Sequence, residues 1–213
     1  MTAKIKLNAA SGGGSVSLKA PSTTTGNATL ELQLPNAIGS ADHILKNSGT
    51  AGNLELASSV NTPIVFAYSP VISSPVLSDA TWTKNTYLTS EEVDTDSAWD
   101  ASNSKFTVPA GKGGTYFVAI SSSLLSVNNT MRQARVRIYK NGSHHVGGYQ
   151  LIINSGSSYF AHFTPSVQTV MNLSAGDYLE SYMYLDVQSS TAYYSSDGQG
   201  LKVNYFMCYR ISS

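Results

Sequence analysis

The stretch Arg135-Val136-Arg137-Ile138-Tyr139-Lys140-Asn141-Gly142 decides the fold class. Val136 and Ile138 alternate with charged or polar neighbours, the period of a half-buried strand. The run ends in Asn-Gly, the dipeptide that most readily supplies positive φ at both positions of a two-residue turn. This predicts a hairpin with Val136 and Ile138 pointing inward. Further strand-like runs recur between turn signals at Tyr116 to Ile120, Ala134 to Tyr139, Tyr149 to Ile153, Tyr159 to Phe163, Tyr178 to Leu185 and Val203 to Ile211. No comparable helical periodicity appears, so the expected class is all-β.

Composition narrows the function. The 213 residues suffice for one substantial core, or one core with a slender appendage. Only 12% are charged, and 13 basic side chains balance 13 acidic ones. That balance leaves no electrostatic footprint for nucleic acid or an anionic membrane, and neutrality favours assembly over life as a free monomer. The N-terminus runs from Met1-Thr2-Ala3-Lys4-Ile5-Lys6 into Gly and Ser, with no apolar stretch long enough for a signal peptide or membrane span. The expectation is a soluble product of the cytoplasm in which it is made.

The chain has two unlike parts, 1–57 and 58–213. The first contains no Trp, Tyr or Phe and cannot build its own core. Ser15-Val16-Ser17-Leu18-Lys19-Ala20 and Thr29-Leu30-Glu31-Leu32-Gln33-Leu34 alternate strictly, and their apolar faces (Val16, Leu18; Leu30, Leu32, Leu34) need another chain to cover them. Leu34-Pro35, Ala41-Asp42-His43-Ile44-Leu45 and Gly49-Thr50-Ala51-Gly52-Asn53-Leu54-Glu55-Leu56 together resemble a recurrent motif of bacteriophage fibre proteins, notably of marine phages. The resemblance implies an extended anchor or thin trimeric shaft.

The second part holds every aromatic residue and hence the core. Three motifs stand in order there: Trp99-Asp100 with Phe106-Thr107-Val108-Pro109-Ala110-Gly111 and Gly114-Thr115-Tyr116; Leu173-Ser174-Ala175-Gly176-Asp177; and Gly200-Leu201-Lys202-Val203-Asn204-Tyr205-Phe206. Over about residues 70 to 213 they resemble the C1q and tumour-necrosis-factor-like superfamily. The resemblance implies a ten-strand jelly roll that trimerises around its last strands. Two strands are apolar or aromatic on both faces. In one, Leu179, Met183 and Leu185 oppose Tyr178, Tyr182 and Tyr184; in the other, Val203, Tyr205, Met207 and Tyr209 oppose Phe206 and Cys208. Each is either a trimer contact or a strand buried between two layers of one chain.

Little in the chain suggests chemistry. Cys208 lies in an apolar run and reads as a buried, inert thiol. His144 and His145 follow the Asn-Gly turn without a third ligand nearby, His162 reads as a sheet residue, and His43 belongs to the fibre motif. Asp94 and Asp96 are the calcium candidates, on an acidic loop without the glycine of an EF-hand. Asp177 and Asp186 are carboxylates that a glycosidase could pair, although nothing singles them out. The loops Ser121 to Met131 and Val187 to Gln199, rich in Ser, Asn and Tyr, are where specificity is expected; Tyr193, Tyr194 and Asp197 form the candidate receptor loop, suited to sugars. The expected function is a structural virion appendage without enzymatic activity or cofactor: a trimeric phage fibre whose knob attaches to the host, with a host-surface glycan as the candidate partner. Its other partners are virion proteins reached through the N-terminal segment. The alternatives are a capsid decoration or baseplate protein without a receptor and, less favoured, a polysaccharide depolymerase.

Overall fold

A seam of aromatic rings holds two antiparallel sheets face to face. The computed structural model describes residues 4–8, 15–19, 33–36, 39–40, 43–48, 50, 53–58, 62–151, 160–196 and 201–212. The chain divides into two units, Met1–Val60 and Asn61–Ser213.

In the first unit, β1 (Lys4–Asn8) pairs antiparallel with β2 (Ser15–Lys19), placing Ile5 opposite Leu18 and Leu7 opposite Val16. Sequence reading missed β1, which is short, with lysine or asparagine at three of its five positions. Strand β3 (His43–Asn47) pairs with β4 (Leu54–Ser58), and Gln33 forms a parallel bridge to Asn53. Leu34 is 69% exposed; Leu30 and Leu32 lie outside the described residues.

The second unit is the jelly roll. Its strands are β5 (Ile64–Tyr68), β6 (Val76–Leu77), β7 (Thr83–Lys84), β8 (Ser90–Asp94), β9 (Trp99–Asp100), β10 (Lys105–Thr107), β11 (Gly114–Ser121), β12 (Leu124–Ser126) and β13 (Met131–Lys140), followed by β14 (Ser143–Leu151), β15 (His162–Phe163), β16 (Ser166–Leu173), β17 (Tyr178–Val187), β18 (Ala192–Tyr194) and β19 (Tyr205–Ser212). One sheet has the order β16-β11-β19-β5-β8, the other β14-β13-β17-β10-β9 with β7 as a sixth strand on β17. The chain passes repeatedly between them, and the two five-strand paths make the ten-strand jelly roll expected from the motifs. A third, smaller sheet, β15-β12-β18-β6, adds to the sandwich.

The core follows from alternation. Val136 and Ile138 are fully buried as expected, beside Leu179, Met183 and Leu185 of β17. Phe206 and Cys208 of β19 belong to the same buried cluster. Across the seam, Trp99 and Phe106 of one sheet meet Phe206 and Tyr116 of the other, with centroids 4.9 Å apart for Trp99–Phe206, 6.1 Å for Phe106–Phe206 and 5.9 Å for Phe106–Tyr116. These rings come from two of the quoted motifs, which therefore encode packing. Burial of each such side chain contributes about 1.5–3 kcal/mol.

The Asn-Gly turn forms as read: Lys140 pairs with Ser143, and Asn141 and Gly142 have φ of 51° and 77°. The Asn141 side chain accepts from the Tyr178 N–H at 2.9 Å and donates to Asp177 at 2.8 Å. The hairpin turn is thus tied to the Ser174-Ala175-Gly176-Asp177 turn.

A glycine is needed where β11 begins. Gly114 has φ of 150°, and a Cβ there would lie 2.0 Å from the Ser212 carbonyl oxygen of β19. Gly114→Ala should therefore force the two strands apart and lower stability by at least about 2 kcal/mol, read by urea unfolding. An unchanged midpoint would show that the β11–β19 pairing near Gly114 contributes little.

Candidate functional site

Two surfaces stand out, one on each outer face of the sandwich. On the five-stranded sheet the register aligns apolar side chains across the strands. Val170, Phe117, Tyr209 and Ile64 form one row, and Ala119, Met207, Phe66 and Val93 are aligned in the next. These positions alternate with core residues, so they point away from the core. Stacked rings consolidate the band, with Phe117–Tyr209 at 5.1 Å and Phe66–Tyr205 at 5.7 Å. Val170 is 59% exposed, Ile211 48% and Tyr209 38%. No charged residue occupies either row.

The outer face of the other sheet is aromatic and basic. Tyr182 stacks on Tyr139 at 3.9 Å, and Tyr184 packs against Trp82 at 5.2 Å. The Arg137 guanidinium lies 3.9 Å from the Trp82 ring centroid, that of Arg135 5.2 Å from the Tyr184 centroid, and the Lys105 ammonium 5.4 Å from the Tyr178 centroid. Between these groups is an open depression lined by Trp82, Arg135, Arg137, His144, Gly147 and Gly148.

The residues expected at a trimer contact therefore separate. Tyr178, Tyr182 and Tyr184 belong to the six-stranded sheet and contact their own chain, whereas Tyr205, Met207 and Tyr209 lie on the opposite side, with half-buried Val203 just before β19. A single flat interface cannot take both sets.

The candidate receptor loop is corrected. Ala192–Tyr194 is strand β18, and Tyr194 is 0% exposed, packed 4.7 Å from Tyr87. Tyr193 is half-buried, and Asp197 lies outside the described residues. The serines of Ser121 to Met131, expected in a surface loop, are partly interior: Ser122 and Ser123 are fully buried. Asn85 donates to the Ser122 hydroxyl at 3.1 Å, the Asn204 carboxamide accepts from the Ser123 N–H, and Asn204 donates to the Ser195 carbonyl at 2.7 Å. The Ser123 hydroxyl also contacts the His162 Nε2 and accepts from Thr164. Burial of Ser123 closes this Ser–His pair to a substrate.

The acidic candidates have structural roles. Asp94 accepts the Ala98 and Trp99 N–H groups at 2.9 and 3.0 Å. Asp96 accepts from Thr95 at 2.8 Å and faces Lys112 at 3.4 Å. Burial opposes its charge, but hydrogen bonds from Thr95 and Thr62 and the Lys112 charge outweigh this and hold its carboxyl below the ordinary value. Both carboxylates already anchor their loop, and among the described residues no group of three His, Cys, Asp or Glu could hold a metal ion. Asp177 and Asp186 flank opposite ends of β17, about 30 Å apart along an extended strand, too far for a glycosidase pair. Asp186 pairs with Arg132, and Asp177 with Lys140 at 2.8 Å. Cys208 is buried, and desolvation pushes its thiol far above the ordinary range. His144, His145 and His162 are exposed strand residues, as is His43 in the first unit.

Sequence reading missed Trp82, Arg135 and Arg137. The two arginines were visible as the outward partners of Val136 and Ile138, but nothing local to Trp82 indicates that it reaches the same face.

No family model matches the chain, and no curated protein matches it. Among solved structures it is similar to the globular domain of zebrafish complement 1qA protein, at 13% identity and a TM-score of 0.47, covering 71% of this chain and 98% of that one. It is also similar to Eiger TNF from S. frugiperda, at 11% identity and a TM-score of 0.48, covering 71% of this chain and 95% of that one.

The tie between turns has a measurable pH signature. The hydrogen bond from Lys140, then those from Asn141 and the Ser174 N–H, hold Asp177 down at about 2 from an ordinary 3.8. A depressed carboxylate contributes stability that is present above 3.8 and lost as pH falls through about 2. In thermal melts across that window, Asp177→Asn should show a shallower loss of melting temperature on acidification than the parent protein. Parallel curves would remove Asp177 from the acid response.

Proposed function

We propose that the chain is a non-enzymatic, trimeric virion appendage protein, a phage fibre whose jelly-roll knob serves host attachment and whose first 57 residues serve as anchor or shaft. The observation that carries the assembly part is the uncharged apolar band across the five-stranded sheet. An uncharged apolar band on an outer sheet face suits an association face. Its central strand, β19, is the last of the chain, where the C1q- and TNF-like resemblance of the sequence motifs implies trimer contacts. A second and third copy of this chain are the partners that fit: each brings the same aromatic band, and cyclic symmetry closes the contact without leaving a free face. The virion part is supported by the fibre-like motif spanning Leu34 to Leu56, and by a neutral, charge-poor composition suited to assembly.

Light scattering tests the assembly directly. The full chain should have the mass of a trimer, and Val170→Glu with Tyr209→Glu, both at exposed positions, should give a monomer that keeps a cooperative melt at a lower temperature. A trimer that survives both substitutions places the interface elsewhere, and a monomeric parent protein removes it. For the virion role, antibody against the chain should label appendages of particles made by the genome that encodes it; unlabelled particles overturn that role.

A further inference from the structure

The depression on the opposite face is built by one strand pair. Arg135 and Arg137 alternate with the buried Val136 and Ile138, so both guanidinium groups project outward from β13. Across the pairing, Arg137 is opposite Gly147, which has no side chain to fill the space; a Cβ there would come within 3.0 Å of the Arg137 side chain. The gap left is about 360 Å³, at the small end of the volumes that hold small ligands. Trp82 holds the Arg137 guanidinium by its flat face, which leaves the N–H groups in its plane free for a planar acceptor. Among the described residues no carboxylate lies within ion-pair distance of Arg137, whereas Arg132 on the same strand has Asp186.

We infer that this depression binds an acidic saccharide, its carboxylate held by Arg137 and its hydroxyls by His144. The outward Arg137 guanidinium suits a carboxylate, which it can grip with paired hydrogen bonds, while Arg135 beside it donates to Gln133. A phosphate polymer fits poorly, because the chain has zero net charge and lacks the basic stripe that nucleic acid requires. Burial, the Arg137 charge and His145 hold the His144 imidazole below its ordinary range, so at neutral pH it offers one donor and one acceptor, as a sugar hydroxyl needs. The aromatic surroundings, with Tyr139 at 6.2 Å from His144, suit the apolar face of a pyranose. This gives the host-attachment role its ligand class and rests on that reading.

The experiment is calorimetry of the full chain with oligogalacturonate, alongside neutral dextran and dextran sulfate of matched length. Oligogalacturonate should bind and dextran should not; Arg137→Ala and His144→Ala, at outward-facing positions, should each weaken binding about tenfold or more while each variant keeps a cooperative melt. No binding by the folded parent protein overturns the inference, as does undiminished binding by both variants. Equal or tighter binding of dextran sulfate overturns the carboxylate assignment in favour of a general anion site. Oligomeric mass is read on the same samples, so a trimer that fails to bind removes the ligand while leaving the assembly, and a binding monomer does the reverse.

Discussion

Strands β17 and β19 sit at the centres of the two sheets, and both are apolar or aromatic on two faces, although a two-layer sandwich has only one core to cover them. Their inner faces fill it: Leu179, Met183 and Leu185 from one, Phe206 and Cys208 from the other. The fate of the outer faces determines what else the molecule can do. On β17 the chain covers its own tyrosines, since Tyr182 has Tyr139 and Tyr184 has Trp82 and Arg135. On β19 the covering is incomplete, and Tyr209 and Ile211 remain exposed beside Val170 of β16. The same sequence feature, an aromatic strand without a polar face, is thus resolved within the chain on one side and left open on the other.

How much of this was legible follows from the range of the interactions. Alternation and turn chemistry are local, so the all-β class, the Asn141-Gly142 hairpin and the inward faces of Val136 and Ile138 could be read directly. Trp99, Phe106 and Tyr116 could be read as a motif, and the seam shows what that spacing does: each reaches the ring cluster between the sheets. The buried serines could not be read. Ser122 and Ser123 look like loop residues because their partners, Asn85 and Asn204, are distant in sequence. A buried hydroxyl costs little once hydrogen-bonded and about 1–3 kcal/mol if not, so Asn85 is what permits serine at 122, and His162 and Thr164 are what permit it at 123. Tyr194 misled in the same way, since its neighbours in sequence are polar while its neighbour in space is Tyr87. Trp82 was illegible because its role depends on β7 pairing with β17, which brings it over a face built by other strands.

The polar interior also changes what the composition means. A chain rich in Ser, Asn and Tyr with 12% charge invites the reading of an uncharged recognition surface. Part of that polar set is instead committed to the buried network around Ser122, Ser123 and Asn204, and many of the charges are paired: Lys84 with Glu180, Arg132 with Asp186, Lys140 with Asp177, Lys202 with Glu92. Against that background Arg137 differs, because its guanidinium group is held by the Trp82 ring. A stacked cation keeps its hydrogen-bonding edge, whereas an ion-paired one has already used it.

The two outer faces point in opposite directions, and that geometry links assembly to binding. If copies of the chain cover the five-stranded face, the six-stranded face with its depression turns away from them and stays open to solvent. Each copy then presents one small site, and a site of that size supports modest affinity on its own. Symmetry supplies what a single site lacks, since ligands repeated along a polysaccharide can engage several copies at once and raise the overall affinity without any new contact. An interface on the aromatic face of β17 would have buried the same depression. The intramolecular stacking of Tyr182 and Tyr184 thus keeps that face available, and the open band on β19 is where association leaves the depression accessible.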